Sequence, residues 1–124
     1  MKTLPKNKEG KIFILAPWKI EELTDLSYDF FFNFGSFQEM EPDVVLNYLK
    51  FVNHQCSKNL FLGAGIKGNV IASKPGNHGV LNHTKLEHYE QGLSNFKLET
   101  MEKRIRLPKM TTVTNGKFMF WERK

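Results

Sequence analysis

The feature of this 124-residue chain that most limits its fold is an amphipathic helix enclosed by two short apolar runs. Pro42–Ser57 begins with proline, which suits the first helical position, and its apolar residues recur at helical spacing. Tyr28–Phe34 precedes it and Asn59–Leu62 follows it, and both runs lack the alternation of half-exposed strands. A strand, a helix and a strand within about 35 residues predict a βαβ unit with parallel strands and a right-handed crossover. We therefore expect an α/β fold in which Tyr28–Phe34 is a central strand and Phe30–Phe34 lies in the core.

Three other runs predict further strands. Lys11–Leu15 is rich in β-branched and aromatic residues and is expected to be a buried strand. Phe96–Arg106 is expected to be a strand with one charged face. Met110–Thr114 and Lys117–Trp121 flank Asn115-Gly116, which is typical of the tight type I′ turn of a hairpin. The chain is therefore expected to end in antiparallel strands attached to a parallel sheet.

A glycine-rich segment separates the two halves of the sequence. Five of the nine glycines lie between residues 63 and 83, where we expect a long loop that is either functional or poorly ordered. Thr84–Glu87 then matches a capping box, and Leu86, Tyr89, Leu93 and Phe96 continue at helical spacing. We expect one domain over residues 1–124, incomplete as a fold, with residues 1–10 as a flexible N-terminal segment.

The composition narrows the classes of protein to consider. No apolar stretch approaches the roughly 20 residues of a membrane helix, and the N-terminus lacks the apolar core of a secretory signal. For this reason we expect no membrane partner. Because Cys56 is the single cysteine, we expect a cytoplasmic protein. The formal charge of +5 comes from the two ends of the chain, and we interpret it as solvated surface. The alternative is a nucleic-acid binder that uses these basic ends. No aromatic residues are regularly interleaved with a basic groove, so we do not expect nucleic acid as a partner.

The chain resembles one enzyme family, the sugar O-methyltransferases that use S-adenosylmethionine. The resemblance lies in Ile14-Leu15-Ala16-Pro17-Trp18, Tyr28-Asp29-Phe30-Phe31-Phe32-Asn33, Ser36-Phe37-Gln38-Glu39-Met40 and a following helix that ends in Tyr48-Leu49. It covers residues 11–66 well and residues 96–124 more loosely, and it leaves residues 67–95 unplaced. It implies a partial Rossmann-like sheet, equivalent to the third to seventh strands of a seven-stranded methyltransferase sheet with a C-terminal antiparallel hairpin. The implied methyl acceptor is a hydroxyl of a small-molecule sugar or glycan.

The resemblance also implies which residues contact S-adenosylmethionine. These residues are Pro17, Trp18, Phe34, Gly35 and Ser36. Trp18 would stack on the adenine ring, and the alternative is ordinary packing of Trp18 between helix and sheet. Many relatives have an acid near this point for the adenine amine, whereas Ala16-Pro17-Trp18 offers none.

Two residues are candidates for catalysis under this resemblance. Glu39 follows the Tyr28–Phe34 strand, at the edge where open α/β sheets bind ligands, and would act as general base on a sugar hydroxyl or orient it. The alternative for Glu39 is a capping box with Ser36. His83 is assigned to the substrate, and the alternative is a surface loop residue. The spacing of the four histidines does not match a metal site, so we expect no metal.

The sequence departs from the family at the cofactor loop. The family binds S-adenosylmethionine mainly through a glycine-rich turn after its first strand, and no such strand, turn and helix precede residue 11. Gly63-Ala64-Gly65 has suitable residues but runs into a long loop instead of a helix. We therefore expect the chain to be inactive alone, and to need a partner that supplies the missing strands or to form a homodimer. The alternatives are a non-enzymatic module that binds another chain by strand addition, or an inactive methyltransferase remnant.

Overall fold

The computed structural model describes most of the chain, namely residues 9, 10, 12, 14–23, 25–67, 70–103 and 116–124. In chain order the elements are β1 (Tyr28–Phe34), α1 (Pro42–Gln55), β2 (Cys56–Gly65), α2 (Leu86–Gly92), β3 (Phe96–Lys103) and β4 (Gly116–Arg123). Short 3₁₀ turns occur at Pro17–Glu22 and Phe37–Glu39. None of the helices in these residues is long and apolar enough to cross a membrane.

The four strands form one mixed sheet in the order β1-β2-β4-β3. β1 and β2 are parallel, while β4 lies between β2 and β3 and runs antiparallel to both. Helix α1 connects β1 to β2, as the βαβ pattern requires. The predicted α/β class and the predicted parallel pair are therefore confirmed.

Both helices cover the same face of the sheet, and the core lies between them and that face. The predicted stripe of α1 is buried through Val45, Leu49 and Val52, and α2 contributes Tyr89 and Leu93. The sheet contributes the buried side chains Leu60, Leu62, Ala64, Phe96, Met119 and Trp121. Since each of these side chains is almost without exposed surface, the described helices exclude water from this face.

Strand β1 has the predicted bounds but not the predicted surroundings. It is an edge strand of the described sheet instead of a central strand. Phe30, Phe32 and Phe34 keep 48%, 61% and 48% of their surface exposed, so the prediction that Phe30–Phe34 is core is wrong for these three residues. The intervening Phe31 is half-buried and packs against the core. The alternation of a strand explains the difference, because neighbouring side chains project to opposite faces.

The face of the sheet opposite the helices is lined by phenylalanines from three strands. We call this set the phenylalanine face, and it consists of Phe30, Phe32, Phe34, Phe61, Phe118 and Phe120. Neighbouring rings are close, with centroids 5.2 Å apart for Phe32 and Phe61 and 5.6 Å apart for Phe61 and Phe118. Four of the six side chains are more than two-fifths exposed, so this face is open to solvent.

The predicted strand at Lys11–Leu15 is wrong for its described residues. Ile12 and Ile14 belong to no strand and are 93% and 94% exposed, whereas Lys11 and Phe13 lie outside the described residues. A run of this kind is buried only when neighbouring strands pair with it. Among the described strands none pairs with the outer edge of β1, so Ile12 and Ile14 have no strand partner in this sheet.

The bounds of β2 differ from the prediction because pairing across the sheet overrides the local pattern. β2 extends from Cys56 to Gly65 instead of from Asn59 to Leu62, since pairing with β1 and β4 holds polar and glycine residues in the ladder. β3 begins at Phe96 as predicted, and its described part ends at Lys103.

Strand β4 contains the predicted run Lys117–Trp121. Both edges of this run are paired, one with β2 and the other with β3. The residues Met110–Thr114 and Asn115 lie outside the described part of the chain, as does most of the predicted flexible segment 1–10.

The start of α2 is built differently from the predicted capping box. The Thr84 hydroxyl donates to the Met40 carbonyl over 2.9 Å instead of capping the helix. The cap shifts by one residue, because the Lys85 N–H donates to His88 Nδ1 over 2.9 Å. The tertiary bond of Thr84 therefore fixes the loop before α2 against the turn after β1, which brings the loop to the site described next.

Candidate functional site

The candidate site lies at the edge of the sheet where the parallel strands β1 and β2 end. The register pairs Phe34 with Gly63, and the Gly35 N–H donates to the Gly63 carbonyl over 2.7 Å. Gly35 has a φ of 77°, a left-handed conformation that favours glycine, and it turns the chain into Ser36. Open α/β sheets bind ligands at the carboxyl ends of their strands. Phe34, Gly35 and Ser36 therefore lie at the edge expected for a ligand.

A buried glutamine organises the turn that follows. Gln38 is 5% exposed, and its side-chain oxygen accepts a hydrogen bond of 2.7 Å from the Gly65 N–H. Its amide nitrogen donates to Glu39 Oε1 over 3.1 Å. One buried amide therefore connects the end of β2 to the Glu39 carboxylate and is satisfied on both sides. The sequence did not predict this role of Gln38. The only sequence feature that points to it is the position of an amide residue between Phe37 and Glu39.

The predicted capping box of Ser36 and Glu39 is not formed. The Ser36 hydroxyl accepts a hydrogen bond of 2.6 Å from Asn33 Nδ2, and no side chain caps the 3₁₀ turn Phe37–Glu39. Ser36 has helical backbone angles, whereas a capping residue is extended and directs its side chain over the first turn. The capping alternative for Glu39 is therefore wrong, and its role toward a substrate stays a prediction.

A carboxylate clamp holds the glycine-rich loop beside this turn. The Glu41 carboxylate accepts hydrogen bonds from the Leu81 N–H and, over 2.9 Å, from the Asn82 N–H. The bond from the Leu81 N–H contributes most to lowering the pKa of Glu41 below its ordinary value, because these bonds favour the charged form. The clamp thus connects the residue before α1 to the loop that carries His83.

His83 lies in an open groove next to the first turn of α1. Asp43 and His88 also line this groove. The Nε2 atom of His83 is buried and has no hydrogen-bond partner among the described residues. The structure therefore brings His83 to the same end of the sheet as the turn that contains Glu39, because Thr84 is bonded to Met40.

Trp18 lies on the outside of α1. It is 73% exposed and lines a shallow groove with Pro17, Asp43 and Val44. The interpretation of Trp18 as a residue packed between helix and sheet is therefore wrong. Asp43 lines both this groove and the groove of His83, so both grooves lie beside the start of α1.

The five residues predicted for the cofactor do not share one surface. Pro17 and Trp18 lie on the helical side, while Phe34 belongs to the phenylalanine face. Gly35 and Ser36 lie at the sheet edge between these two sides. A single ligand that contacts all five would have to pass around this edge.

The described glycines at this edge do not form the glycine-rich turn that a cofactor loop requires. The Gly35 and Gly65 N–H groups at the edge already donate to Gly63 and Gln38. Gly63 and its neighbours belong to β2 itself, and the Phe34 ring lies directly over Gly63. A glycine-rich cofactor turn instead presents unpaired N–H groups at the start of a helix. The departure from the family seen in the sequence is therefore also a departure in geometry.

The single cysteine does not add a reactive group to the site. Cys56 is buried, and its thiol donates to the Asn59 carbonyl over 3.2 Å. Burial raises the pKa of the thiol, which disfavours the nucleophilic thiolate. Within the described ranges, no group of three or more His, Cys, Asp or Glu side chains is positioned to hold a metal ion.

Comparisons with known proteins leave the family of this chain open. A scan against models of protein families finds no match, and a search of curated proteins also finds none. The function is therefore argued from the sheet, its carboxyl edge and its two faces.

Proposed function

We propose that this chain is one part of a Rossmann-like, S-adenosylmethionine-dependent O-methyltransferase domain that acts on a sugar hydroxyl and is inactive alone. The sheet supports this proposal, since β1 and β2 are parallel, α1 joins them, and the antiparallel pair of β3 and β4 follows. The observation that carries the proposal is the position of Glu39 in the turn after β1, at the ligand-binding edge. We propose a cytoplasmic location because a single cysteine makes no internal disulfide.

Glu39 is the residue that we assign to the acceptor hydroxyl. A hydroxyl that receives a methyl group must lose its proton, and a carboxylate within hydrogen-bond distance accepts it as a general base. The Gln38 amide donates to Glu39 Oε1 and so orients the carboxylate. His83, in the adjacent loop, is a second polar contact for the sugar. This arrangement makes the described edge the acceptor side of the site.

The cofactor side must come from further strands. The described sheet leaves the outer edge of β1 without a neighbour, and an open strand edge accepts another strand through its backbone groups. We propose that companion strands pair along β1 and carry the glycine-rich turn. At the carboxyl edge the Gly35 and Gly65 N–H groups are already bonded within the chain. This agrees with a cofactor turn that is carried by the companion strands.

The first test is whether the chain binds the cofactor by itself. Calorimetric titration of the purified chain with S-adenosylmethionine and S-adenosylhomocysteine should show no saturable heat up to about 1 mM. Circular dichroism serves as the control that the chain is folded. Saturable binding by the folded chain would contradict the assignment of the cofactor side to other strands.

The second test supplies the companion strands. The chain is co-expressed with the first two strands and the glycine-rich turn of a sugar O-methyltransferase, and transfer of labelled methyl to sugars is measured. We expect transfer only from the mixture, and Glu39→Gln should lower it by about 10²–10⁴-fold, the usual contribution of a general base. Glu90→Gln, on the exposed side of α2, is the matched control. A stable complex with no transfer, or an unchanged rate in Glu39→Gln, would refute the assignment.

A second candidate function is that of an interaction module without catalysis. The open edge of β1 favours it, because Phe30–Phe34 contains none of the lysines or prolines that protect natural edge strands. Strand addition at β1 would then be the function itself. A partner that pairs along β1 and neither binds S-adenosylmethionine nor supports methyl transfer would favour this candidate.

A further inference from the structure

We propose that a second copy of this chain covers the phenylalanine face, so that two sheets pack face to face. This inference concerns the side of the sheet opposite the helices and does not depend on methyl transfer. It also uses a surface different from the open edge of β1. The continuity, the area and the charge of the phenylalanine face support this pairing.

The phenylalanine face is continuous across three strands. Phe61, on the central strand β2, has ring centroids 5.2 Å from Phe32, 5.6 Å from Phe118 and 5.9 Å from Phe120. Where β2 has no side chain, at Gly63, the Phe34 ring takes the space: a Cβ at Gly63 would lie 2.5 Å from Phe34 Cδ2. The rings therefore form one apolar layer instead of separate exposed residues.

The area of this layer matches what a stable dimer needs at its centre. At roughly 200 Å² for a fully exposed phenylalanine, the four most exposed rings leave about 400 Å² open to water. This is within the range of the largest apolar patch of a typical monomer, and such patches are often functional. A stable interface buries about 800 Å² on each partner, so the rings supply about half of it and flanking residues supply the rest.

A second copy of the chain presents an identical phenylalanine face, with the same area and the same flat shape as the face that it would cover. In a two-fold dimer each copy presents the same patch, so both patches are covered in one association. Two sheets that pack face to face lie about 10 Å apart with their inner side chains interdigitated, which suits a layer of rings.

The charges beside the phenylalanine face argue against nucleic acid. β3 and β4 place Glu102 opposite Phe118 and Lys97 opposite Glu122, and Lys97 is paired with Glu99 over 2.8 Å. Three carboxylates therefore accompany one lysine on this flank. Phosphate groups would be repelled there, although stacked rings on a sheet are otherwise a platform for bases. Glu102 and Glu122 are exposed and border the rings, so in a two-fold dimer they would lie in the polar, solvent-accessible rim of the interface.

The test measures the mass of the intact chain by sedimentation equilibrium over a range of concentrations. We expect the average mass to rise from 14.5 kDa toward twice that value, with association kept or strengthened as sodium chloride increases. The double variant Phe32→Glu with Phe120→Glu should weaken association by at least about 30-fold, as loss of central aromatic contacts does. The matched control is Val70→Glu with Ile71→Glu, since these loop residues are 47% and 60% exposed against 43% and 61% for Phe120 and Phe32.

Three results would overturn the proposal. The first is a chain that stays monomeric at about 100 µM, where a dimer with a Kd of about 100 µM or tighter would be populated. The second is equal loss of association in the control and in the Phe32→Glu with Phe120→Glu variant, with both folded by circular dichroism. The third is saturable binding of a labelled 20-nucleotide oligouridine that weakens with salt and is lost in the same variant, which would assign the face to nucleic acid. Neither cofactor binding nor methyl transfer enters these measurements, so failure of the proposed function leaves this proposal testable.

Discussion

The two faces of the sheet are built by alternate residues of the same strands, but their surroundings are opposite. On the helical face Leu60 and Leu62 are fully buried, while Phe61 between them lines the open face. Phe61 is thus more exposed than the two leucines although its side chain is larger. Burial is decided by what packs on a side chain and not by how hydrophobic the side chain is. Because a contiguous apolar face that is left open is often a site of interaction, the open face indicates a binding surface.

The largest expected effect is the contrast between truncating a residue on the helical face and truncating one on the open face. Leu49 is fully buried between the helices and the sheet, so Leu49→Ala should lower the free energy of unfolding by about 2–5 kcal/mol. Phe32→Ala removes a larger side chain, but Phe32 is 61% exposed, so the loss should stay below about 1 kcal/mol. Urea denaturation at low protein concentration measures both values. Equal losses would mean that the phenylalanine face belongs to a core within the single chain.

A second pair of variants adds one methyl group on each side. At Gly92, α2 approaches α1 so closely that a Cβ would lie 2.7 Å from Leu49 Cβ. Gly92→Ala should therefore lower the free energy of unfolding by about 1–3 kcal/mol, although alanine is the better helix former by about 1 kcal/mol.

Gly63→Ala is the matched change on the open face. The new Cβ would meet the Phe34 ring, which is half exposed and can swing into solvent. We expect a loss below about 1 kcal/mol in the same denaturation experiment. A loss as large as that of Gly92→Ala would indicate that the Phe34 ring is held as firmly as the core.

The smallest expected effect concerns the Glu41 clamp on the helical side. The pKa of Glu41 is lowered in the folded chain, chiefly by the bond from the Leu81 N–H. The Glu41 carboxylate therefore stabilises the fold at pH values above its unfolded pKa, and this stabilisation is lost as the pH falls through its folded pKa. The wild type should therefore melt above Glu41→Gln near neutral pH, and the difference should shrink under acid conditions. Thermal melts across this range measure it, with Glu90→Gln as the control. A difference that is constant with pH would show that charge on Glu41 plays no part.

The sequence predicts the first half of the fold because local and tertiary preferences agree there. β1 has its predicted bounds, and α1 begins at Pro42 and ends at Gln55, two residues before the expected Ser57. The limits of β2 were not predictable, because its polar start and glycine-rich end are held by pairing with two neighbours. The exposure of Phe30 and Phe32 was also not predictable, since a continuous apolar run has the same pattern whether one face or both faces of the sheet are covered.

The candidate site was predicted in position but not in its internal bonds. The turn after β1 could be located because parallel strands direct their carboxyl ends to one edge. The amide of Gln38 could not be assigned, because its partner Gly65 lies 27 residues away and has no side chain to reveal the contact. Trp18 was misjudged for the same reason as the phenylalanines, since its large apolar ring is exposed.

The position of β4 within the sheet has a consequence for how the protein is made. β4 is the last of the four strands to leave the ribosome, yet it lies between β2 and β3 and pairs Leu60 with Trp121. Until it emerges, β3 has no described neighbour and one edge of β2 is unpaired. The nascent chain therefore cannot complete this sheet before β4 has emerged, and translation that stalls before Gly116 would leave an open, aromatic strand edge exposed to chaperones and proteases.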